Sequence, residues 1–215
     1  VSVQTMTKTD TRDIDATVAQ INEVATLGCD IVRLAVVDAA AARALGEIRK
    51  QSTIPLIADI HFDHRLALTA LAAGVEGLRI NPGNIGGESN VRSVVAAARE
   101  RHAPIRIGVN AGSLEADLLA SHGGATAEAL VASAMRHVHL LEACDYHAIK
   151  ISVKASDVAR TLAAYRLLAD TTDYPLHLGV TEAGTFMAGT VRSSIALGIL
   201  LEEGIGDTIR ISLTD

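Results

Sequence analysis

Ile149-Lys150-Ile151-Ser152-Val153-Lys154 decides the fold: aliphatic residues alternate with lysines and a serine. Side chains on a strand point to opposite faces in turn, so this run has one oily face and one face of cations and a hydroxyl. Seven other short apolar runs recur along the chain, and their polar residues keep a single parity: Arg33; Asp59 and His61; Arg79 and Asn81; Arg106 and Asn110; Arg210 and Ser212. The polar faces must be gathered in one place. A closed barrel of parallel strands does this, with the apolar backs packed on helices and the opposite faces converging on an axis.

The strands are read as 1–6, 30–36, 55–60, 77–82, 104–110, 147–153, 175–181 and 207–213. Helical patterns fill the intervals at 11–27, 39–50, 63–73, 90–101, 126–143, 155–169 and 185–203. In the first of them Ile14, Val18, Ile21 and Val24 recur at three- and four-residue spacing. Gly28, Gly74 and Gly204 stand where helix ends favour a left-handed residue. Strand-helix alternation with short connections predicts parallel strands and right-handed crossovers. The expected fold class is therefore α/β, a (β/α)8 TIM barrel forming a single substrate-binding domain over 1–215, truncated after strand eight. No helix follows that strand to cover its seam with the first, so the oily backs of both are expected to be partly bare.

At 215 residues the chain has room for one such barrel. It is 49% hydrophobic and 20% charged, the balance of a globular enzyme, and no apolar run is long enough for a membrane helix. A net charge of −6 with 2% aromatic residues gives neither a basic field nor stacking platforms, which argues against a nucleic-acid partner. No export signal opens the sequence, and a cytoplasmic location is expected. Cys29 and Cys144 each stand just before a strand, away from the usual active-site end, and neither builds a metal site alone.

The chemistry gathers at the C-terminal ends of the strands. Arg33, Arg79, Arg106 and Arg210 lie on four different strands, and converging guanidiniums require anions. Internal pairing with Asp59 and Glu182 is one answer; a phosphate or diphosphate clamp is the other, since arginine offers a fixed fork to such oxygens. Asn81-Pro82-Gly83-Asn84-Ile85-Gly86-Gly87 and Val109-Asn110-Ala111-Gly112-Ser113 offer backbone amides for close approach to a ligand, or serve as tight turns. Asp59 and His61 share one face, suited to acid-base work or to hydrogen bonding. Glu182, at the mouth of the seventh strand, would become a general acid if loss of water raised its pKa. Lys150 and Lys154 have the chemistry for a Schiff base, so an aldolase-like barrel stays open, as does a diphosphate-binding module without turnover.

Eight ordered segments resemble one family. They are 3–7 (VQTMT), 30–33 (DIVR), 58–63 (ADIHFD), 78–86 (LRINPGNIG), 105–113 (IRIGVNAGS), 152–157 (SVKASD), 176–184 (LHLGVTEAG) and 203–213 (EGIGDTIRISL). Together they are similar to the barrel domain of the 4-hydroxy-3-methylbut-2-enyl diphosphate synthase family of the non-mevalonate route to isoprenoids. The resemblance implies reductive ring opening of 2-C-methyl-D-erythritol 2,4-cyclodiphosphate by an iron-sulfur oxidoreductase. By matching motifs, Arg33, Arg79, Arg106, Lys154, Arg210 and Ser212 would hold the diphosphate. Asp59, His61, Asn81, Asn110 and Thr181 would line the site, and Glu182 would be the acid-base residue. It further implies a 4Fe-4S cluster, flavodoxin or ferredoxin as electron donor, and a homodimer in which a C-terminal iron-sulfur domain closes over the partner's barrel. The cluster ligands of that domain, three cysteines and a glutamate, are not among these residues, so the chain alone is expected to be inactive.

Overall fold

The computed structural model describes residues 1–214. Its elements alternate: β1 (Ser2–Met6), α1 (Ile14–Thr26), β2 (Ile31–Ala35), α2 (Ala39–Gln51), β3 (Leu56–Asp59), α3 (His64–Ala72), β4 (Gly77–Ile80) and α4 (Glu88–Glu100). Then follow β5 (Ile105–Asn110), α5 (Ala116–Ser121), α6 (Ala127–Glu142), β6 (Ile149–Lys154), α7 (Val158–Thr171), β7 (His177–Leu178), α8 (Phe186–Glu202) and β8 (Thr208–Ile209). The strand order is β6-β5-β4-β3-β2-β1-β8-β7, and a parallel bridge between Ile151 and Leu176 joins the two ends of that series. This is the (β/α)8 barrel that the alternation predicts.

The chain divides into two compact units. One holds residues 2–106 and 139–149. Its strands pair in parallel register, with Met6 opposite Arg33, Ala35 opposite Asp59 and Asp59 opposite Arg79. Around each inward polar residue the neighbours face the other way: Val32 and Leu34 flank Arg33, Ala58 and Ile60 flank Asp59, Leu78 and Ile80 flank Arg79, all nearly or fully excluded from solvent. Alanines let α2 and α3 lie close, and α2 buries Ala41, Ala42, Leu45 and Ile48 along one face. Gly77 is required on β4, because a Cβ there would meet the Ile57 side chain at 2.9 Å and the Pro104 carbonyl at 3.0 Å.

The other unit holds Val1, 107–138 and the residues from Lys150 onward. Here α7 packs on α8, and Tyr165, fully buried, donates its hydroxyl to the His177 carbonyl at 2.6 Å. Val180, Ala183 and Ala196 form a small core with Val158 against it.

Aspartate caps start four of the helices. Asp13, Asp38, Asp63 and Asp157 each accept a backbone N–H from the first turn, a contribution of about 1 kcal/mol apiece. These caps correct the helix starts read from periodicity: α1 begins at Ile14 rather than Thr11, and α7 at Val158 rather than Ala155. Gly28, Gly74 and Gly204 do adopt positive φ, as expected. The last two strands are much shorter than the apolar runs that announce them, and α5 was not foreseen. Val3 on β1 is 40% exposed, and Ile211 and Leu213, beyond β8, are 46% and 38% exposed. Among the described residues no helix is long and apolar enough to cross a membrane.

Candidate anion-binding site

In the unit of residues 2–106, β3 ends on Asp59, whose carboxylate is only 3% exposed. Arg33 on β2 reaches one oxygen (Nε to Oδ2, 3.3 Å) and Arg79 on β4 the other (Nη1 to Oδ1, 3.2 Å). The register decides this meeting, because Asp59 lies across from Arg79 and two residues along from Ile57, the residue opposite Arg33. Just past the strand, His61 places Nε2 3.4 Å from the same Oδ1. Burial pushes the Asp59 carboxyl up, but the hydrogen bond with His61 and the charges of Arg33 and Arg79 outweigh it and hold the group well below the usual carboxylate range. Arg33 also sets Nη2 2.9 Å from the Met6 sulfur on β1, a contact that sequence reading missed although Met6 shares the inward parity. Internal pairing is thus real for two guanidiniums, through one carboxylate.

Arg106 on β5 and Asn81 just after β4 are buried in the same unit. Beyond Asn81 the glycine-rich segment forms a single 3-10 turn, Pro82–Asn84, and Gly86 takes φ 107° beside the Asn90 side chain, which donates to the Ile85 carbonyl. Beside His61 lies a cavity of about 330 Å³ lined mainly by Ala35, Val36, Val37, Phe62 and Leu66.

The other unit holds Asn110, Lys154, Thr181, Glu182, Arg210 and Ser212. Lys154, at the end of β6, is 4% exposed, and Gly179 makes room for it: a Cβ at that glycine would stand 2.6 Å from the Lys154 amine and 2.5 Å from the Arg210 carbonyl. Lys150, lower on the strand, donates to the Thr208 hydroxyl at 2.7 Å. Asn110 ends β5 and is followed by a 3-10 turn over Ala111–Ser113.

Thr181, Arg210 and Ser212 are not on strands, which corrects the sequence reading, and Glu182 lies past β7 as expected. Backbone bonds continue there, from Thr181 to the Ala155 carbonyl (3.0 Å) and from Ala183 to the Ser212 carbonyl (3.1 Å), but Glu182 between them has φ 48°. A left-handed residue breaks the pleat, so no strand runs through Glu182. Glu182 is also exposed, so the described residues do not enclose it. It makes no ion pair among them, which removes it as an internal partner for the arginines.

These residues do not fit an iron-sulfur cluster. Among those described no group of three or more His, Cys, Asp or Glu stands ready to hold a metal ion, and Cys29 turns its thiol to the Val3 and Ile31 carbonyls.

The model of the GcpE TIM-barrel domain matches residues 1–215. The chain belongs to this family. It is 64% identical over 213 residues to 4-hydroxy-3-methylbut-2-en-1-yl diphosphate synthase (flavodoxin) of Geobacter sulfurreducens, covering 99% of the chain and 60% of that protein. The protein of the same name from Thermodesulfovibrio yellowstonii is 59% identical, over 100% of the chain and 62% of its own length. The chain thus spans about three fifths of the curated relatives it matches. In three dimensions it resembles the carboxyl transferase domain of Rhizobium etli pyruvate carboxylase with pyruvate, at TM-score 0.64 and 14% identity over 99% of the chain and 39% of that one; this bears on the fold alone.

Proposed function

We propose that this GcpE-family barrel binds 2-C-methyl-D-erythritol 2,4-cyclodiphosphate and, in the full-length protein, takes part in its reductive ring opening to hydroxymethylbutenyl diphosphate. The observation that supports it most is Asp59 holding Arg33 and Arg79 as a preorganised pair, on a chain 64% identical to a synthase. A pair held open by a shared carboxylate needs little reorganisation to meet phosphate oxygens. Arg106, Lys154, Arg210 and Ser212 are proposed to complete the diphosphate contacts. Asp59, His61, Asn81, Asn110 and Thr181 are proposed to line the site, with the apolar cavity beside His61 taking the carbon skeleton.

The reaction consumes two electrons and two protons and releases the hydroxyl as water. Glu182 is proposed to move the proton that lets the hydroxyl leave. The electrons are proposed to come from flavodoxin by way of a 4Fe-4S cluster that these residues do not ligate, and no step of that transfer is assigned to them. Enclosure of the exposed Glu182 by the cluster-bearing part of a partner subunit, in a homodimer, would supply the desolvation that a general acid needs. The chain of 215 residues alone should then show no reductive turnover with iron, sulfide and a strong reductant.

Titration calorimetry of the full-length protein with the cyclodiphosphate tests the reading. Arg106→Leu should weaken binding by about 2–5 kcal/mol, the cost of truncating one partner of a buried charge pair. Unchanged affinity would remove the clamp.

A further inference from the structure

A residue with a Cβ held at positive φ persists only where its surroundings over-determine it. Glu182, at φ 48°, is followed by Gly184 at φ 114°, so two left-handed residues bracket Ala183. Three backbone bonds tie this turn: Thr181 to the Ala155 carbonyl, Ala183 to the Ser212 carbonyl, and Thr214 to the Gly184 carbonyl at 2.9 Å. Helix α8 presses on it closely, since a Cβ at Gly189 would stand 2.8 Å from the Gly184 carbonyl oxygen.

One side chain joins this backbone cage. Arg192, near the end of the second turn of α8, sends its guanidinium back along the helix. Nη1 donates to the Ala183 carbonyl at 3.0 Å and lies 3.5 Å from where a Gly184 Cβ would be. It forms no ion pair among the described residues, although its charge is solvent-exposed, so its placement answers to the turn rather than to a carboxylate. The carbonyl it holds belongs to the residue directly after Glu182. It lies in the peptide between Ala183 and Gly184, so holding it, together with the Ala183 N–H bond to Ser212, restricts how the turn and the Glu182 carboxylate it carries can shift.

We propose that Arg192 is a positioning residue, which keeps the left-handed Glu182 turn in the one geometry from which the carboxyl group can exchange a proton with the substrate. The inference rests on Glu182 as the proton-transfer group. It predicts a split effect: the diphosphate contacts proposed for Arg33, Arg79, Arg106 and Lys154 come from other strands and only Ser212 is bonded to this turn, whereas proton transfer depends on sub-ångström placement.

The test uses the full-length protein and four variants: Arg192→Met, Arg192→Lys, Glu182→Gln, and Glu182→Gln combined with Arg192→Met. Arg192→Met should lower kcat at least tenfold, with the calorimetric Kd for the cyclodiphosphate within about threefold of wild type. Arg192→Lys, which keeps a cationic donor, should recover part of the loss. On the Glu182→Gln background, Arg192→Met should change residual turnover by less than twofold, because the group it positions is already disabled. Amide exchange at Ala183 and Thr214 should quicken in Arg192→Met while that of Ala196 and Leu200 in α8 stays as it was. Wild-type kcat in Arg192→Met, an equal loss on both backgrounds, or unchanged exchange at Ala183 would each overturn the inference. Near-wild-type turnover in Glu182→Gln alone would instead overturn the underlying assignment of Glu182, and the positioning role with it.

Discussion

Asp59 and Glu182 both follow apolar strand runs, yet the structure treats them oppositely. Asp59 is 3% exposed, ends a regular strand and is held by two guanidiniums and an imidazole. Glu182 is exposed, sits off the strand at positive φ and makes no ion pair among the described residues. The first carboxylate is bound into the charge balance of its surroundings and kept ionised. A group pinned in that way is a poor proton carrier and a good scaffold, whereas a carboxylate left exposed on a tightly tied turn stays open to contact. The contrast is in keeping with the proposed roles, preorganisation for Asp59 and proton transfer for Glu182.

The largest effect that sharpens this contrast is on turnover. Glu182→Gln should lower kcat of the full-length protein by about 10²- to 10⁴-fold, the usual worth of a general acid or base, while calorimetric affinity for the cyclodiphosphate persists. Fold stability in urea should stay near wild type. A variant that loses stability but keeps turnover would reverse the assignments.

Asp59→Ala should do the opposite. It leaves Arg33 and Arg79, both buried, without the carboxylate they share, and should destabilise the barrel by about 3–5 kcal/mol in urea denaturation. A change under 1 kcal/mol would show that the pair is not held by Asp59.

A smaller effect appears only in acid. The folded-state pKa of Asp59 lies below its unfolded value, near 3.9, so its contribution to stability is complete above about pH 5 and is lost as pH falls through and below the ordinary carboxylate range. The stability gap between wild type and Asp59→Asn should therefore narrow between pH 5 and the acid limit of folding. A gap that widens as pH falls would contradict the direction of the shift.

Much of the molecule was legible in the sequence, because period-two alternation is imposed by the pleat wherever one face of a strand is buried. Arg33, Asp59, Arg79, Arg106, Asn110 and Lys154 are all found on the strands that their parity predicts. That Asp59 would pair with arginine could be named as a possibility from charge alone. Which arginines, and that one carboxylate would serve two, depended on the register of β2, β3 and β4, and sequence patterns within single strands do not fix register between them.

The sequence by itself determined the number and order of the strands, every helix but α5, the faces they bury and the family. Hydrophobic periodicity and motif order are local properties of the chain, and they survive any arrangement of its parts. Tertiary structure alone decided that β7 and β8 stop after two residues each, that Gly179 gives its space to Lys154, and that Glu182 turns left-handed under the grip of Arg192. Apolar runs continue past those strand ends, so nothing in their pattern marks the change. It arises from backbone bonds to Ala155, Ser212 and Thr214 and from one side chain a helix turn away, partners that only the folded chain brings within reach.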